Sequence, residues 1–524
     1  MIPERLAGMM VPLFSIRSAD DFGRGEIGGL AALGELALAM GQRLIQLLPI
    51  DETPPGEASP YSATSVLAID PSYISAWELA GIDATTYRKA CDEAAKDPIN
   101  LARLRTLKDT LLSEAFHYFK AEGGADERKA FAAFAAANRA WLDDYAMFRA
   151  LTEKFGSAQW TNWPRELSGR EPGALAAAAR VLAERIEGFK FAQFVAARQW
   201  RAARGRLAAR GVFLGGDLAF SPARDSAEVW AHQEMFDLSR AVGAPPDAFS
   251  AIGQRWDLPM PNWRRMRAGG FSFIRLRVRM ARELFDFLRI DHVVGLFRTY
   301  GYSVCDATAG AFDPLSEEAQ RAQGEAVLDA VLEEAGPMEI IAEDLGVIPP
   351  FVRETLARLD LPGYKIARWE RDWAAPGQPF HSPASYPRSA LATTGTHDTD
   401  TLAEWWETIS ETERREFIDG LGIEDQAALS AFDDRLREQI ISAIYASPAR
   451  LAIFPIQDLF GWKDRINTPG TIGPDNWRWR MPFAAGEALA DPNRRKAIEK
   501  IRALAERTGR FAPANASDRK AKRK

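Results

Sequence analysis

The feature that most constrains this chain is a recurring pattern of short apolar runs, each ending on or beside a polar or acidic residue, with helical periodicity between most of them. The runs occupy residues 43–50, 212–218, 285–291, 338–343, 364–369, 391–398 and 451–458. Apolar stretches of this length read as strands buried on both faces, and strands that alternate with helices assemble into a parallel sheet. Such strands deliver side chains to a site from their C-terminal ends, which is where the acids stand here. At 524 residues the chain exceeds a typical domain. Barrels of this class tolerate insertions, so one large α/β barrel is expected rather than several domains.

Over about residues 85–156 the pattern changes to Ala, Leu, Lys and Glu-rich sequence with apolar residues three and four apart, and residues 174–209 read similarly. The expected layout is a single domain over residues 1–510 with mainly helical insertions near 85–210 and a loop insertion near 240–270. A polar, basic, disordered tail then covers residues 511–524.

Hydrophobic residues at 47% and charged residues at 26% allow a sizeable core. A net charge of −6 without a basic stripe argues against a nucleic-acid partner. Cys91 and Cys305 stand too far apart for a CxxC pair or a four-ligand zinc site and read as free thiols in a reducing cytosol. The apolar run at 6–14 is broken by Pro12 and has no cleavage-like end, so no signal peptide is expected. No stretch approaches the roughly 18 to 20 apolar residues of a membrane helix, and a cytoplasmic location follows.

Gly23-Arg24-Gly25-Glu26-Ile27-Gly28 matches GxGxxG, but the polar residues before it are no strand, so it reads as a glycine turn. There is no P-loop, HExxH or GxSxG, which removes support for phosphoryl transfer, zinc proteolysis and serine-hydrolase chemistry.

Chemistry concentrates instead at three strand ends: Arg289-Ile290-Asp291-His292, Ala342-Glu343-Asp344-Leu345-Gly346 and Gly395-Thr396-His397-Asp398. In a barrel these ends converge on one face. Glycoside chemistry needs two carboxyl groups flanking an acetal carbon, and a third acid can hold sugar hydroxyls. Arg289 and Asp291 are two apart on a strand and point the same way, so the guanidinium favours an ionised Asp291. Glu343 shares its face with Ile341, and apolar neighbours with nearby carboxylates raise its pKa, as suits a proton donor. By the same parity Asp344 points elsewhere. The competing reading makes each acid a helix cap and His292 and His397 buried structural residues. Three acids with adjacent Arg or His partners favour a site, with both histidines against ligand.

These residues resemble the amylomaltase or disproportionating-enzyme family, glycoside hydrolase family 77. The likeness runs along nearly the whole chain. It rests on the order and spacing of Ser59-Pro60-Tyr61-Ser62, Gly216-Asp217-Leu218 with Asp225-Ser226-Ala227-Glu228-Val229-Trp230, Pro245-Pro246-Asp247, Gly253-Gln254-Arg255-Trp256 and Arg289 to His292. The remaining blocks are Ala342 to Gly346, Pro362-Gly363-Tyr364-Lys365, Gly395 to Asp398, and Arg465-Ile466-Asn467-Thr468-Pro469-Gly470-Thr471 with Asn476-Trp477.

The resemblance implies a (β/α)8 TIM barrel with helical insertion subdomains, no required cofactor, and a retaining double displacement on alpha-1,4-glucans as donor and acceptor. No metal site is expected. By this match Asp291 is similar to the nucleophile, Glu343 to the acid/base, and Asp398 to the acid that stabilises the transition state. Arg289, His292, His397, Asp217, Tyr61, Ser59, Trp256 and Asn467 would bind substrate. Tyr61 and Trp256 either stack on sugar faces or pack in the core. The nucleophile and acid/base carboxyls of a retaining enzyme stand about 5 to 5.5 Å apart.

The chain departs from the family pattern in its loops. It has Ala248 where a tyrosine is usual, Asp257-Leu258-Pro259-Met260-Pro261 in place of a Gly-Asn-Pro run, and Val293-Val294-Gly295 in place of Phe-Arg-Gly. The tryptophan and Gly-rich segment usual around residues 300–312 are absent, and Thr399 replaces an Asn. A hydrolase with the same acids, or a non-catalytic glucan-binding barrel, are the rival readings.

Overall fold

Eight short strands make one parallel sheet: β1 (Leu6–Met10), β2 (Leu44–Gln46), β3 (Phe213–Leu218), β4 (Phe287–Ile290), β5 (Glu339–Ala342), β6 (Gly363–Ile366), β7 (Ala390–Thr393) and β8 (Leu451–Pro455). This is a computed structural model, which describes residues 2, 5–18, 21–96, 100–246, 253–305, 310–424, 431–471 and 473–512. Each strand pairs with its sequence neighbours except β5 with β6, and β8 pairs back onto β1. At the remaining seam the Ala342 N–H donates to the Pro362 carbonyl at 2.9 Å, so the sheet closes. The architecture is a (β/α)8 barrel.

The first strand, Leu6-Ala7-Gly8-Met9-Met10, lies within the apolar run at 6–14, which is not among the strand candidates, and it carries a glycine. The barrel requires that glycine. A Cβ at Gly8 would meet the Leu44 carbonyl oxygen at 2.8 Å and the Ile453 side chain at 3.2 Å, where neighbouring strands approach. Helices cover the outside, among them Leu30–Ala39, Ala183–Ala209, Ser272–Leu284, Glu317–Ala335, Asp434–Ala446 and Pro492–Arg507. Between β6 and β7 the chain carries only the 3-10 turn Pro383–Ser385.

Between β2 and β3 the chain builds the helices Ala84–Ala95, Leu101–Glu122, Ala125–Ala137 and Arg139–Phe155. They are tied to the barrel by Glu52, fully buried, which meets Arg105, Arg149 and Tyr145. Residues near 240–270, read as a loop, instead contribute Phe236–Ala244 and Gln254–Pro261 to a four-stranded antiparallel sheet with Thr299–Ser303 and Gly310–Asp313. Register shifts between Phe236–Ala244 and Gln254–Pro261 interrupt the alternation that would have marked these strands. Asp247, Ala248 and the tail beyond 512 lie outside the described residues. No helix among the described residues is long and apolar enough to cross a membrane.

Candidate active site

The barrel register brings the acids together. Asp217 on β3 stands opposite Arg289 on β4, and Arg289 opposite Ile341 on β5. Beyond the strand ends the ladder continues for one more step: the Asp291 N–H donates to the Leu218 carbonyl at 3.1 Å and the Glu343 N–H to the Ile290 carbonyl at 3.0 Å. Asp291 and Glu343 therefore emerge side by side at the C-terminal mouth.

Arg289, buried, is the hub. Its Nη1 donates to both oxygens of Asp217 at 2.7 Å and to Asp291 Oδ1 at 2.8 Å, while Nη2 lies 3.9 Å from Glu343 Oε2. Its guanidinium sits 5.9 Å from the ring of Tyr364, whose hydroxyl accepts from Gln46 Nε2 at 3.2 Å. Burial opposes the charge on Arg289, but the flanking carboxylates hold its pKa well above the ordinary value. Asp217 is pushed up by burial against the pull of Arg289.

Glu343 accepts at both oxygens, from the His292 N–H at 2.7 Å and the Leu345 N–H at 2.8 Å. Burial nevertheless dominates and, with the Asp291 charge acting in the same direction against Arg289, raises its pKa to about 7. Asp344 points away, accepting from the Tyr364 N–H at 2.7 Å.

Asp398 comes from the loop after β7 and shows the opposite balance. Burial favours its neutral form, but His397 and a 2.6 Å hydrogen bond from Asn467 Nδ2 outweigh it and bring the pKa down to about 2. His397 Nε2 lies 3.3 Å from Asp398 Oδ2 and 3.2 Å from the Tyr61 hydroxyl, which donates to Asp217 Oδ2 at 2.7 Å. Burial lowers the His397 pKa, and Asp398 more than restores it, leaving a net rise. Tyr61 is stacked on His397 at 5.4 Å between ring centres, and Ser59 Oγ accepts from the Tyr61 N–H at 3.3 Å, so Ser59 holds Tyr61.

His292 adopts a left-handed backbone with φ 50°. Its ring meets Trp256, from the antiparallel sheet, edge-on at 4.8 Å and Phe220 at 5.5 Å. Burial lowers the His292 pKa to about 4. Gly295, the unaltered position of this loop, is required by the packing, since a Cβ there would press against Phe220 and the His292 ring. Thr399, the substituted position, closes its own turn by accepting from the Thr396 N–H at 3.0 Å.

All the sequence-derived site residues thus join one network through Arg289, Asp398, Glu343 and Tyr61. Others were missed. Trp477 packs 5.7 Å from Tyr61 and 5.6 Å from His397, and Arg465 Nη2 donates to the Asp398 carbonyl at 3.3 Å. Trp477, Arg465 and Tyr364 stood inside noted sequence blocks without a role, whereas Gln46 and Phe220 carried no signal. Among the described residues no group of three or more His, Cys, Asp or Glu is disposed to hold a metal ion.

A closed (β/α)8 barrel with acids gathered by one arginine at its C-terminal mouth defines an enzyme of the barrel class. Comparison narrows the class. The sequence profile of the 4-alpha-glucanotransferase family matches residues 11–485. The chain is 35% identical to a 4-alpha-glucanotransferase of Thermus thermophilus, over 90% of this chain and 92% of that one. It is 30% identical to a chloroplastic/amyloplastic 4-alpha-glucanotransferase of Solanum tuberosum, over 91% of this chain and 82% of the relative. The amylomaltase of Streptococcus agalactiae, solved with acarbose, superposes with a TM-score of 0.84 at 25% identity, covering 97% of this chain and all of the other. The chain belongs to the 4-alpha-glucanotransferase family and is a glucanotransferase.

Proposed function

We propose that this enzyme transfers a segment of an alpha-1,4-glucan to the 4-hydroxyl of an acceptor glucose or glucan by a retaining double displacement, with residues 1–510 as one catalytic unit. The supporting observation is the unequal environment of acids that share one site: Glu343 raised to about 7 and Asp398 lowered to about 2. Acids whose pKa values are pushed apart divide into a proton donor and a permanent anion.

In the first step Glu343 gives its proton to the glycosidic oxygen while an Asp291 carboxylate oxygen bonds to the anomeric carbon and the carbon–oxygen bond to the leaving fragment breaks. Glu343, now ionised, takes the proton of the acceptor 4-hydroxyl. That oxygen bonds to the anomeric carbon, Asp291 leaves, and the alpha configuration is restored. Asp398 stabilises the positive charge that develops on the sugar ring, and Asn467 and His397 hold it in place. Arg289 and Asp217 position Asp291, and Trp256 and His292 form one wall of the cleft. Free thiols at Cys91 and Cys305 agree with a reducing cytoplasm as the place of action.

Incubation with maltotriose tests this. A ladder of longer maltooligosaccharides with free glucose, abolished in Asp291→Asn, is expected. Glucose and maltose without longer products would make the protein a hydrolase instead, and no change in maltotriose would favour a different sugar or a binding role.

A further inference from the structure

Asp398 and the Asn467 amide that donates to it come from different loops, one after β7 and one after β8, and a single side chain ties both loops at the backbone. The Arg465 guanidinium spreads over three acceptors. Its Nε donates to the Asn467 carbonyl at 3.3 Å, its Nη2 donates to the Asp398 carbonyl at 3.3 Å, and its Nη1 meets the Asp400 carboxylate. With the 2.6 Å bond from Asn467 Nδ2 to Asp398 Oδ1, these contacts form a closed ring.

Each loop is a unit before Arg465 joins them. The first is pinned at its ends by Asp458, buried, which accepts from Thr394 Oγ1 at 2.5 Å and from the Leu402 N–H at 2.6 Å. Arg368, also buried, donates to the carbonyls of Thr394 and Asp400, both at 2.9 Å. The second closes on itself. The Trp477 N–H donates to the Ile466 carbonyl at 2.7 Å, while Asn476 accepts from the Thr468 N–H at 3.0 Å and donates to the Thr471 carbonyl at 3.0 Å. Packing of Trp477 on His397, 5.6 Å between ring centres, also holds the loops together. Ring packing is less directional than a hydrogen bond, so it does not fix where an amide nitrogen stands against a carboxylate oxygen.

We propose that Arg465 is a positioning residue that sets the Asn467 amide on Asp398. The assignment rests on the role given to Asp398 above. Arg465 and Asp400 are both partly exposed, and an ion pair in such a place is a weak anchor that lysine would serve as well. Reaching two carbonyls and a carboxylate at once requires the planar fork of a guanidinium. Small displacements of a group that stabilises developing charge are costly to rate, so the ring acts on kcat.

Steady-state kinetics on maltotriose with Arg465→Met, Arg465→Lys, Asn467→Ala and the double variant Arg465→Met/Asn467→Ala test it. Arg465→Met should lower kcat by tenfold or more with KM changing far less, about the loss of one charged hydrogen bond in the transition state. Arg465→Lys should remain impaired. Because both substitutions act on one contact, the loss in the double variant should fall short of the product of the single losses by at least about fivefold. A double variant closer to the product, an effect confined to KM, or normal kcat in Arg465→Lys overturns the proposal. A crystal structure of Arg465→Met gives a readout that needs no activity. The Asn467 amide should have left Asp398, and an unchanged 2.6 Å bond overturns the proposal. Transfer by the unsubstituted enzyme reports separately on the glucan reading.

Discussion

His292 turns its backbone N–H onto Glu343 Oε2 at 2.7 Å, and it does so in a left-handed conformation with φ 50° that an L-residue enters only at a cost. The hydrogen bond and the packing of the His292 ring between Trp256 and Phe220 hold that conformation in place. The proton donor proposed for the reaction is thus oriented by the residue that follows the proposed nucleophile.

Because the Glu343 pKa stands at about 7, kcat/KM on maltotriose should fall as pH rises above that value, by about tenfold per unit once the group is ionised. Glu343→Gln should remove most of the activity and with it this alkaline limb. A wild-type profile flat to pH 9 would sink the assignment.

Stability should follow the same group. Its folded pKa lies above the ordinary 4.5, so the folded state binds the proton more tightly. The resulting stabilisation is complete below about 4.5 and is lost as pH rises through about 7. Relative to wild type, Glu343→Gln should gain on the order of 3 kcal/mol between pH 4.5 and 8, whatever its starting offset. Urea unfolding at several pH values gives the difference, and a pH-independent offset would refute it.

Asn467→Ala removes the 2.6 Å hydrogen bond to Asp398 and should raise the Asp398 pKa. We expect kcat to drop by roughly 10²-fold, as when one donor to a charged catalytic group is lost, with KM changing far less. An effect confined to KM would assign Asn467 to ground-state binding instead.

Arg289→Met leaves Asp217 buried without its cation, and loss of one partner of a buried ion pair costs about 3 to 5 kcal/mol. Arg289→Lys keeps the charge but not the fork that reaches Asp217 and Asp291 together, so it should rescue stability more than transfer. Equal recovery of both would show that charge alone suffices.

Gly295→Ala places a methyl group against Phe220 and the His292 ring. Overpacking of this kind costs about 1 to 3 kcal/mol, and displacement of His292 should lower kcat as well. A crystal structure of the variant with His292 unmoved, together with normal kcat, would refute the link.

Residues close in sequence declared much of this site. That Arg289 and Asp291 share a face follows from the two-residue period of a strand, and the 2.8 Å bond between them is its result. Asp344 pointing away follows from the same parity. Trp477 beside Tyr61, and Gln46 beneath Tyr364, join segments hundreds of residues apart, and no local period announces such contacts. The strand Gln254–Pro261 was hidden by its prolines and by shifted register, which erase the alternation of a regular strand.

By itself the sequence determined the alternation of strands and helices and the strand ends on which acids stand, because hydrophobic periodicity is a local property of the chain. Closure of the barrel decided the rest. Only when β3, β4 and β5 lie in register does one guanidinium reach Asp217, Asp291 and Glu343. Only the surrounding burial lifts Glu343 to about 7 while a histidine and an asparagine hold Asp398 near 2, since desolvation and charge pairing act through space and not along the chain.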